Sequence, residues 1–449
     1  MTSLPNGVNA WLFLNEDEPP QTNYTSPDSC YQSLIQYGTY NSADFIGIAF
    51  FEVVPATNGD TIQIGASSHP GGLTNQDYLD YVLRDARQAN PGIKFLATMV
   101  YSGDNTLARI FAGGGDPQAQ ATAFATNLVA YLQASGMNGL DVDWEGDVSL
   151  KLTRDQFKIL FSTIRTVFDA QPVKYFLSFT PAWPTDTIDY ATVNSAFDFV
   201  SPQFYDGTPL SSFLRAGISP AKIGYGAQFE PDNAAPNTSA QQVWSAVSAG
   251  FQHGGTTYGY QDIFMWRLNS GNFQFEQAQF MILDQLAQPP AGAAFDDQPI
   301  VGAAGVPDIT GITVRSGEVL DALQIVCTGT GPYNTGPQGA DLFTLPQHGG
   351  NGGAATTLAI SPSDPIVSIS GYTGTWYGWQ CVLQLTLTCR SGATHGPYGT
   401  MSGATSQTPF TQSAPSGQRL IAFSGTTVTV PMAGGSMGTI IASLQAAFG

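Results

Sequence analysis

A chain of 449 residues is too long for one ordinary hydrophobic core and implies two or three domains. Acidic residues outnumber basic ones 34 to 15, for a net charge of −19, which repels phosphate backbones and anionic lipid and excludes nucleic acid and membrane insertion. Only 11% of residues are charged while 12% are aromatic, a balance that suits a neutral partner offering hydroxyls and apolar ring faces.

The start, Met1-Thr-Ser-Leu-Pro-Asn-Gly7, has neither the basic nor the apolar region of an export signal. No apolar run reaches the ~18 residues of a membrane span. Short apolar runs then alternate with helical patterns. The strand candidates are Asn9–Leu14, Phe45–Val53, Lys94–Tyr101, Met137–Glu145, Tyr175–Pro181, Phe197–Asp206, Lys222–Ala227 and Asp262–Leu268. Eight β/α units over residues 1–288 predict a (β/α)8 TIM barrel rather than an open sheet. Helices are expected near Asn75 to Ala89, after the capping box Thr153-Arg-Asp-Gln156, and from Ser239 to Phe251.

The fourth strand, M-N-G-L-D-V-D-W-E from Met137 to Glu145, carries the chemistry. Side chains alternate on a strand, so Asp141, Asp143 and Glu145 share one face, and Leu140, Val142 and Trp144 the other. With the apolar face under helices, the three carboxylates point into the barrel near its C-terminal mouth. Like charges there raise one another's pKa, and at least one acid holds a proton near neutral pH. The four cysteines, Cys30, Cys327, Cys381 and Cys389, and four scattered histidines show no metal-ligand spacing, so no metal and no cofactor are expected; the thiols read as buried and free.

This strand resembles the D-G-x-D-x-D-x-E signature of glycoside hydrolase family 18, a family of chitinases and some endo-β-N-acetylglucosaminidases. Further similarity lies in Phe45-Ile-Gly-Ile-Ala-Phe50, Gln203-Phe-Tyr-Asp206 and Asp262-Ile-Phe-Met-Trp266. The resemblance implies that Glu145 is the general acid, that Asp143 accepts from the substrate's acetamido N–H, and that Asp141 sets Asp143's protonation. Tyr205 holds the acetamido oxygen, Asp206 bonds the distorted sugar, Trp266 stacks beneath it, and Phe50 and Gln203 line the pocket. The substrate's own amide oxygen is then the nucleophile, with retention at C1. Two departures stand out: Asn138 replaces the outermost acid, and Thr98-Met-Val-Tyr101 replaces the usual S-x-G-G. If these elements neighbour each other, the inner hydrogen-bond network is rebuilt.

Pro, Ala and Gly mark residues 289–308 as a linker. Beyond it, residues 309–449 alternate with period two between Gly-rich turns, an all-β pattern. Ile312-Thr-Val-Arg-Ser-Gly317, Gly349-Gly-Asn-Gly-Gly353 and Arg419-Leu-Ile-Ala-Phe423 resemble jacalin-related lectins, which implies a jacalin-like β-prism. The family's sugar-binding Asp is missing from Gly438–Ala442, but Gly317-Glu-Val-Leu-Asp321 offers a second such loop beside Gly349 and Gly350. Asp321 either binds sugar there, with mannose-type sugars as partners, or only ties a turn. Trp376 and Trp379 form either a stacking surface or core.

The combined expectation is a retaining endo-chitinase cutting β-1,4 bonds between N-acetylglucosamine units, with a lectin-like targeting domain. Asp143-Trp-Glu145 favours chitinases, where that Trp is common, and the stretch from Ala227 to Asp262 is too short for an inserted domain, which favours an open cleft. An endo-β-N-acetylglucosaminidase acting on N-linked glycans and a non-catalytic lectin or toxin component are the alternatives. The substrate points to an extracellular location.

Overall fold

The computed structural model describes residues 4–14, 23–230, 238–287, 294–328, 342–432 and 437–449. It divides into two compact units, Met1–Ala287 and Gln288–Gly449. No helix among the described residues is long and apolar enough to cross a membrane.

Unit 1 is built on parallel strands β1 (Val8–Phe13), β2 (Phe45–Ala56), β3 (Lys94–Met99), β4 (Gly139–Trp144), β5 (Phe176–Pro181), β6 (Phe199–Val200), β7 (Tyr225–Gln228) and β8 (Ile263–Trp266). Their order is β6-β5-β4-β3-β2-β1-β8-β7, a curled sheet with helices between strands. The free ends of that path touch through one parallel bridge, Val200 with Ile223, and the Gly224 N–H donates to Val200 O at 2.6 Å.

The helices follow the capping chemistry. Asn75–Ala89 and Arg154–Asp169 both start with complete capping boxes, from Thr74 with Asp77 and from Thr153 with Gln156. Ser239 caps Ala240–Ala249. The outward face of β4 packs as its alternation requires: Trp144 lies 5.1 Å from Phe157, which in turn meets Phe161 at 4.5 Å and Phe179 at 5.9 Å. Replacing Phe157 by Ala is expected to destabilise unit 1 by about 3–5 kcal/mol, measured as an earlier urea transition in tryptophan fluorescence. The inward faces meet in a cluster of Trp11, Phe45, Leu96, Phe199 and Phe264, which fills the lower part of the curl.

The sixth strand departs from its expected span of Phe197–Asp206. Only Phe199–Val200 pairs, and Phe204–Asp206 forms a 3-10 turn. Pro202 has no N–H to give a ladder, and Gly207, at φ 85°, ends the turn in a conformation that disfavours side chains with a Cβ.

Unit 2 is all antiparallel among its described strands. Its strands are β9 (Ala294–Asp296), β10 (Asp308–Ser316), β11 (Leu320–Thr328), β12 (Leu342–Thr344), β13 (His348–Gly349), β14 (Ala354–Ala359), β15 (Ile366–Trp376), β16 (Trp379–Cys389), β17 (Thr394–Tyr398), β18 (Thr408–Ser413), β19 (Leu420–Pro431) and β20 (Met437–Phe448). They form three sheets: β9-β19-β20; β12-β11-β10-β14 with β13 on β11; and β17-β16-β15-β18.

The linker expected over 289–308 is corrected by the structure. Residues 289–293 lie outside the described residues, but Ala294–Asp296 pairs with Thr426–Ser424 of β19 and Gln298–Ala303 is helical. Phe295 stacks on His348 at 4.0 Å, and Asp297 meets the His348 ring nitrogen at 2.8 Å. These long-range partners turn a Pro/Ala/Gly-rich stretch into part of the β-unit. All four cysteines are buried. Trp376 is core, its indole N–H donating to Glu318 at 2.9 Å, whereas Trp379 is 39% exposed.

Candidate active site

Neighbouring strands enclose the inner acids. In register, Thr98 of β3 and Ser178 of β5 flank Asp141, and Thr180 flanks Asp143. The Trp11 indole N–H is shared between Thr98 Oγ1 and Asp141 Oδ2, both at 3.1 Å. That indole lies across Gly47, where a Cβ would stand 2.3 Å from the ring, so β2 needs a glycine there. The Ser178 hydroxyl donates to Asp141 Oδ1, Thr180 donates to the same oxygen at 2.9 Å, and Thr98 adds a fourth bond. Burial raises the Asp141 pKa, and these four donors oppose the rise.

Asp143 is also buried. Gln203 Nε2 donates to its Oδ1 at 2.8 Å, and its carboxyl is hydrogen-bonded to Glu145. Burial first, then the Glu145 and Asp141 carboxylates, hold its pKa well above the ordinary carboxylate range. Glu145 is half-buried at the end of β4. Burial and the Asp206 carboxylate push it up to about 7, against bonds from Asp143 and Gln203. The two carboxyls thus act on each other, and burial favours keeping a proton on the pair.

Above them, Tyr205 is buried with Asp143, Asp206 and Glu145 in electrostatic reach. Burial and those carboxylates keep its hydroxyl protonated and able to donate. Tyr205, Gln203, Asp143 and Trp266 line one small pocket with Trp11 and Thr98. Trp266 is half-buried and stands 6.0 Å from the Phe50 ring and 5.7 Å from Phe13. Arg267, paired with Glu230 at 2.8 Å, sits 5.1 Å from the Phe13 ring and backs this aromatic floor. Asp206 is exposed at the rim.

All the residues expected around this site thus gather at the C-terminal ends of the strands. The rebuilt network takes a different form from the one expected. Asn138 does not adjoin Thr98: its side-chain oxygen accepts from the Phe95 N–H at 2.9 Å, at the foot of β3. Thr98 alone stands by the acids. Sequence reasoning missed Trp11, Ser178 and Thr180, whose only signal was an inward position on strands one and five. It also missed Trp183, 39% exposed just past Pro181, which pairs with Trp144; a tryptophan between two prolines at a strand end was its signal.

In unit 2 the expected loop residues also meet. The Gly350 N–H bonds Asp321 O at 3.2 Å and Thr439 O at 3.0 Å. Asp321 is only 4% exposed, and its carboxylate takes a backbone bond from Gly317. A Cβ on Gly352 or Gly353 would fall 2.4 or 2.5 Å from its oxygens. Arg315 holds the same loop through the carbonyls of Asn351 and Gly352, at 2.8 and 3.0 Å. The Asp321 carboxylate thus lies against this loop.

Residues 22–244 match the family Glycosyl hydrolases family 18, and residues 289–430 match the Jacalin-like lectin domain. No curated protein matches the chain. Among solved structures, a galactose-binding lectin from Champedak is 24% identical over 35% of this chain and 99% of its own, with a TM-score of 0.26. Wild-type Malaysian banana lectin is 23% identical over 34% of this chain and 91% of its own, TM-score 0.24. A glycoside hydrolase family 18 N-acetylglucosaminidase from Paenibacillus barengoltzii is 21% identical over 50% of this chain and 69% of its own, TM-score 0.35. The first unit thus carries a glycosyl hydrolase family 18 domain and the second a jacalin-like lectin domain, a glycosidase joined to a carbohydrate-binding domain.

Proposed function

We propose that the enzyme is a retaining, endo-acting chitinase that cleaves β-1,4 bonds between N-acetylglucosamine units outside the cell. The observation that carries this reading is that Asp143, Gln203, Tyr205 and Trp266 line one pocket, at the end of the strand that places Asp141, Asp143 and Glu145 on one face. Paired acids that bracket a sugar stand about 5–5.5 Å apart when one is the nucleophile and roughly 6.5–9.5 Å apart when one activates water. Asp143 and Glu145 lie two positions apart on one face of one strand, side by side rather than across a sugar from each other, and Asp141 is enclosed by its four donors. The nucleophile is then left to the substrate, and a 2-acetamido group is what Asp143 and Tyr205 together can orient.

In this mechanism the proton on the acid pair resides on Glu145 once the acetamido N–H engages the Asp143 carboxylate. Glu145 gives that proton to the glycosidic oxygen as the C1–O bond breaks. The acetamido oxygen, held by the Tyr205 hydroxyl, bonds C1 and forms an oxazolinium ion whose charge the Asp143 carboxylate stabilises. Glu145, now ionised, takes a proton from water, which opens the ring from the face the leaving group vacated. Two inversions give retention. Trp266 supplies the ring face under the reacting sugar and Asp206 the rim bond.

The open cleft has support in the segment between β7 and β8. Its described residues hold one helix and a two-stranded hairpin, Phe251–His253 with Thr256–Tyr258, rather than an inserted domain. The Val200–Ile223 bridge favours closure of the curled sheet into a (β/α)8 barrel, and the three sheets of unit 2 favour a β-prism. The test is product analysis on N-acetylglucosamine hexamer and, separately, on a high-mannose glycoprotein. Internal cleavage of the hexamer with β-anomeric products is expected. Release of intact glycan with an untouched hexamer would make the enzyme an endo-β-N-acetylglucosaminidase instead.

A further inference from the structure

A groove in unit 2 lies where two sheets meet. Gln412 of edge strand β18 reaches across to edge strand β20, its amide donating to Leu444 O at 3.1 Å and accepting from the Ala446 N–H at 2.8 Å. Beside this seam is a concavity of about 460 Å³, inside the range of roughly 300–1,000 Å³ that small-molecule sites occupy. Phe295 and Phe410 line it together with Thr373, Thr426, Ser443 and Gln445.

The chemistry of this lining selects a ligand class. Phe295 lies flat on His348, with 10° between the rings, and Phe410 is half-buried in β18, so two aromatic rings are offered at fixed positions. Around them the exposed hydroxyls of Thr426 and Ser443, 2.7 Å apart, keep further donor and acceptor capacity. Among the described lining residues Asp296 alone is charged. A polyanion meets that carboxylate and a chain of net charge −19 with no cation in the lining, and a purely apolar ligand would strip water from the hydroxyls without replacing its bonds. A ring with apolar faces and hydroxyl edges satisfies both halves of the lining.

We propose that this groove is a binding site for a neutral oligosaccharide, separate from the glycine loop of residues 349–353 and sharing no residue with it. It gives unit 2 a contact with glycan that does not depend on Asp321. Site occupancy is independent of turnover in unit 1.

The test is hydrogen–deuterium exchange on the full-length Glu145→Gln chain, which keeps the probes intact, with N-acetylglucosamine tetramer, mannose trisaccharide and melibiose each at millimolar concentration. At least one probe is expected to slow exchange in 408–413, 420–431 and 437–448. Phe410→Ala in the same chain should weaken that effect about tenfold in probe concentration, the loss of one stacked ring, and Thr426→Trp should fill the groove and abolish it. Slowing confined to the glycine loop or to unit 1, no slowing with any probe, or slowing that survives both substitutions would each overturn the proposal. Because the first measurement uses no groove variant, a folding defect in either variant leaves its outcome decisive.

Discussion

Glu145→Gln is expected to lower kcat/KM on N-acetylglucosamine hexamer by about 10²–10⁴-fold, the range that a positioned general acid contributes. Glutamine keeps the shape and can still meet Asp143 and Gln203, but it has no proton to give the leaving oxygen. The same residue fixes the pH profile. Glu145 must be protonated in the free enzyme, and burial together with Asp206 puts its pKa at about 7. The wild-type kcat/KM is therefore expected to fall as pH rises through that value. Because the Glu145 carboxylate also raises the Asp143 pKa, the measured limb belongs to the pair. The residual turnover of Glu145→Gln should lack this limb. Steady-state kinetics across pH on both proteins checks the magnitude and the shape together, and wild-type release no greater than the variant's would remove the catalytic role from Glu145.

The second large effect is expected at Asp143→Asn, a fall in kcat of about 10²–10³-fold with a much smaller change in KM. The asparagine oxygen still accepts from an acetamido N–H, so ground-state orientation survives. What disappears is the negative charge opposite the oxazolinium, which matters only as that ion forms. A comparable rise in KM with unchanged kcat would mean that Asp143 only binds. Single-turnover measurement with an activated aryl glycoside separates the two outcomes, because such a leaving group needs little help from Glu145 but still requires the ion.

The acid row was legible because a strand has period two: once Leu140, Val142 and Trp144 are assigned to a helix-covered face, the other face is fixed. The partners of those acids were not. Trp11, Thr98 and Ser178 reach Asp141 from strands far apart in sequence, and nothing local distinguishes an inward Thr that binds a carboxylate from one that fills space. The neighbourhood assigned to Asn138 failed for a related reason: it precedes β4 and meets the foot of β3, whereas Asp141, further along, reaches Thr98 near the mouth. Strand six was overextended because apolar composition outweighed Pro202. In unit 2, Pro-Ala-Gly composition hid β9, because the partners that order Phe295, Gly425 of β19 and the His348 ring, lie far along the chain. The seam closed by Gln412 has no signature short of the fold itself.

The brevity of β6 bears on how the enzyme releases product. Gln203 and Tyr205 follow a two-residue strand whose continuation is tied by the Ser201 and Gln203 N–H groups to Phe179 O and Pro181 O, and by the Gly224 and Gly226 N–H groups to Val200 O and Pro202 O, fewer laddered pairs than hold β4 and its acids on both sides. Segments with few backbone ties open at lower free energy than those fully laddered. The fingers that grip the acetamido group can thus slacken while the proton donor stays fixed, so letting go of the cleaved sugar need not disturb the acids that cut it.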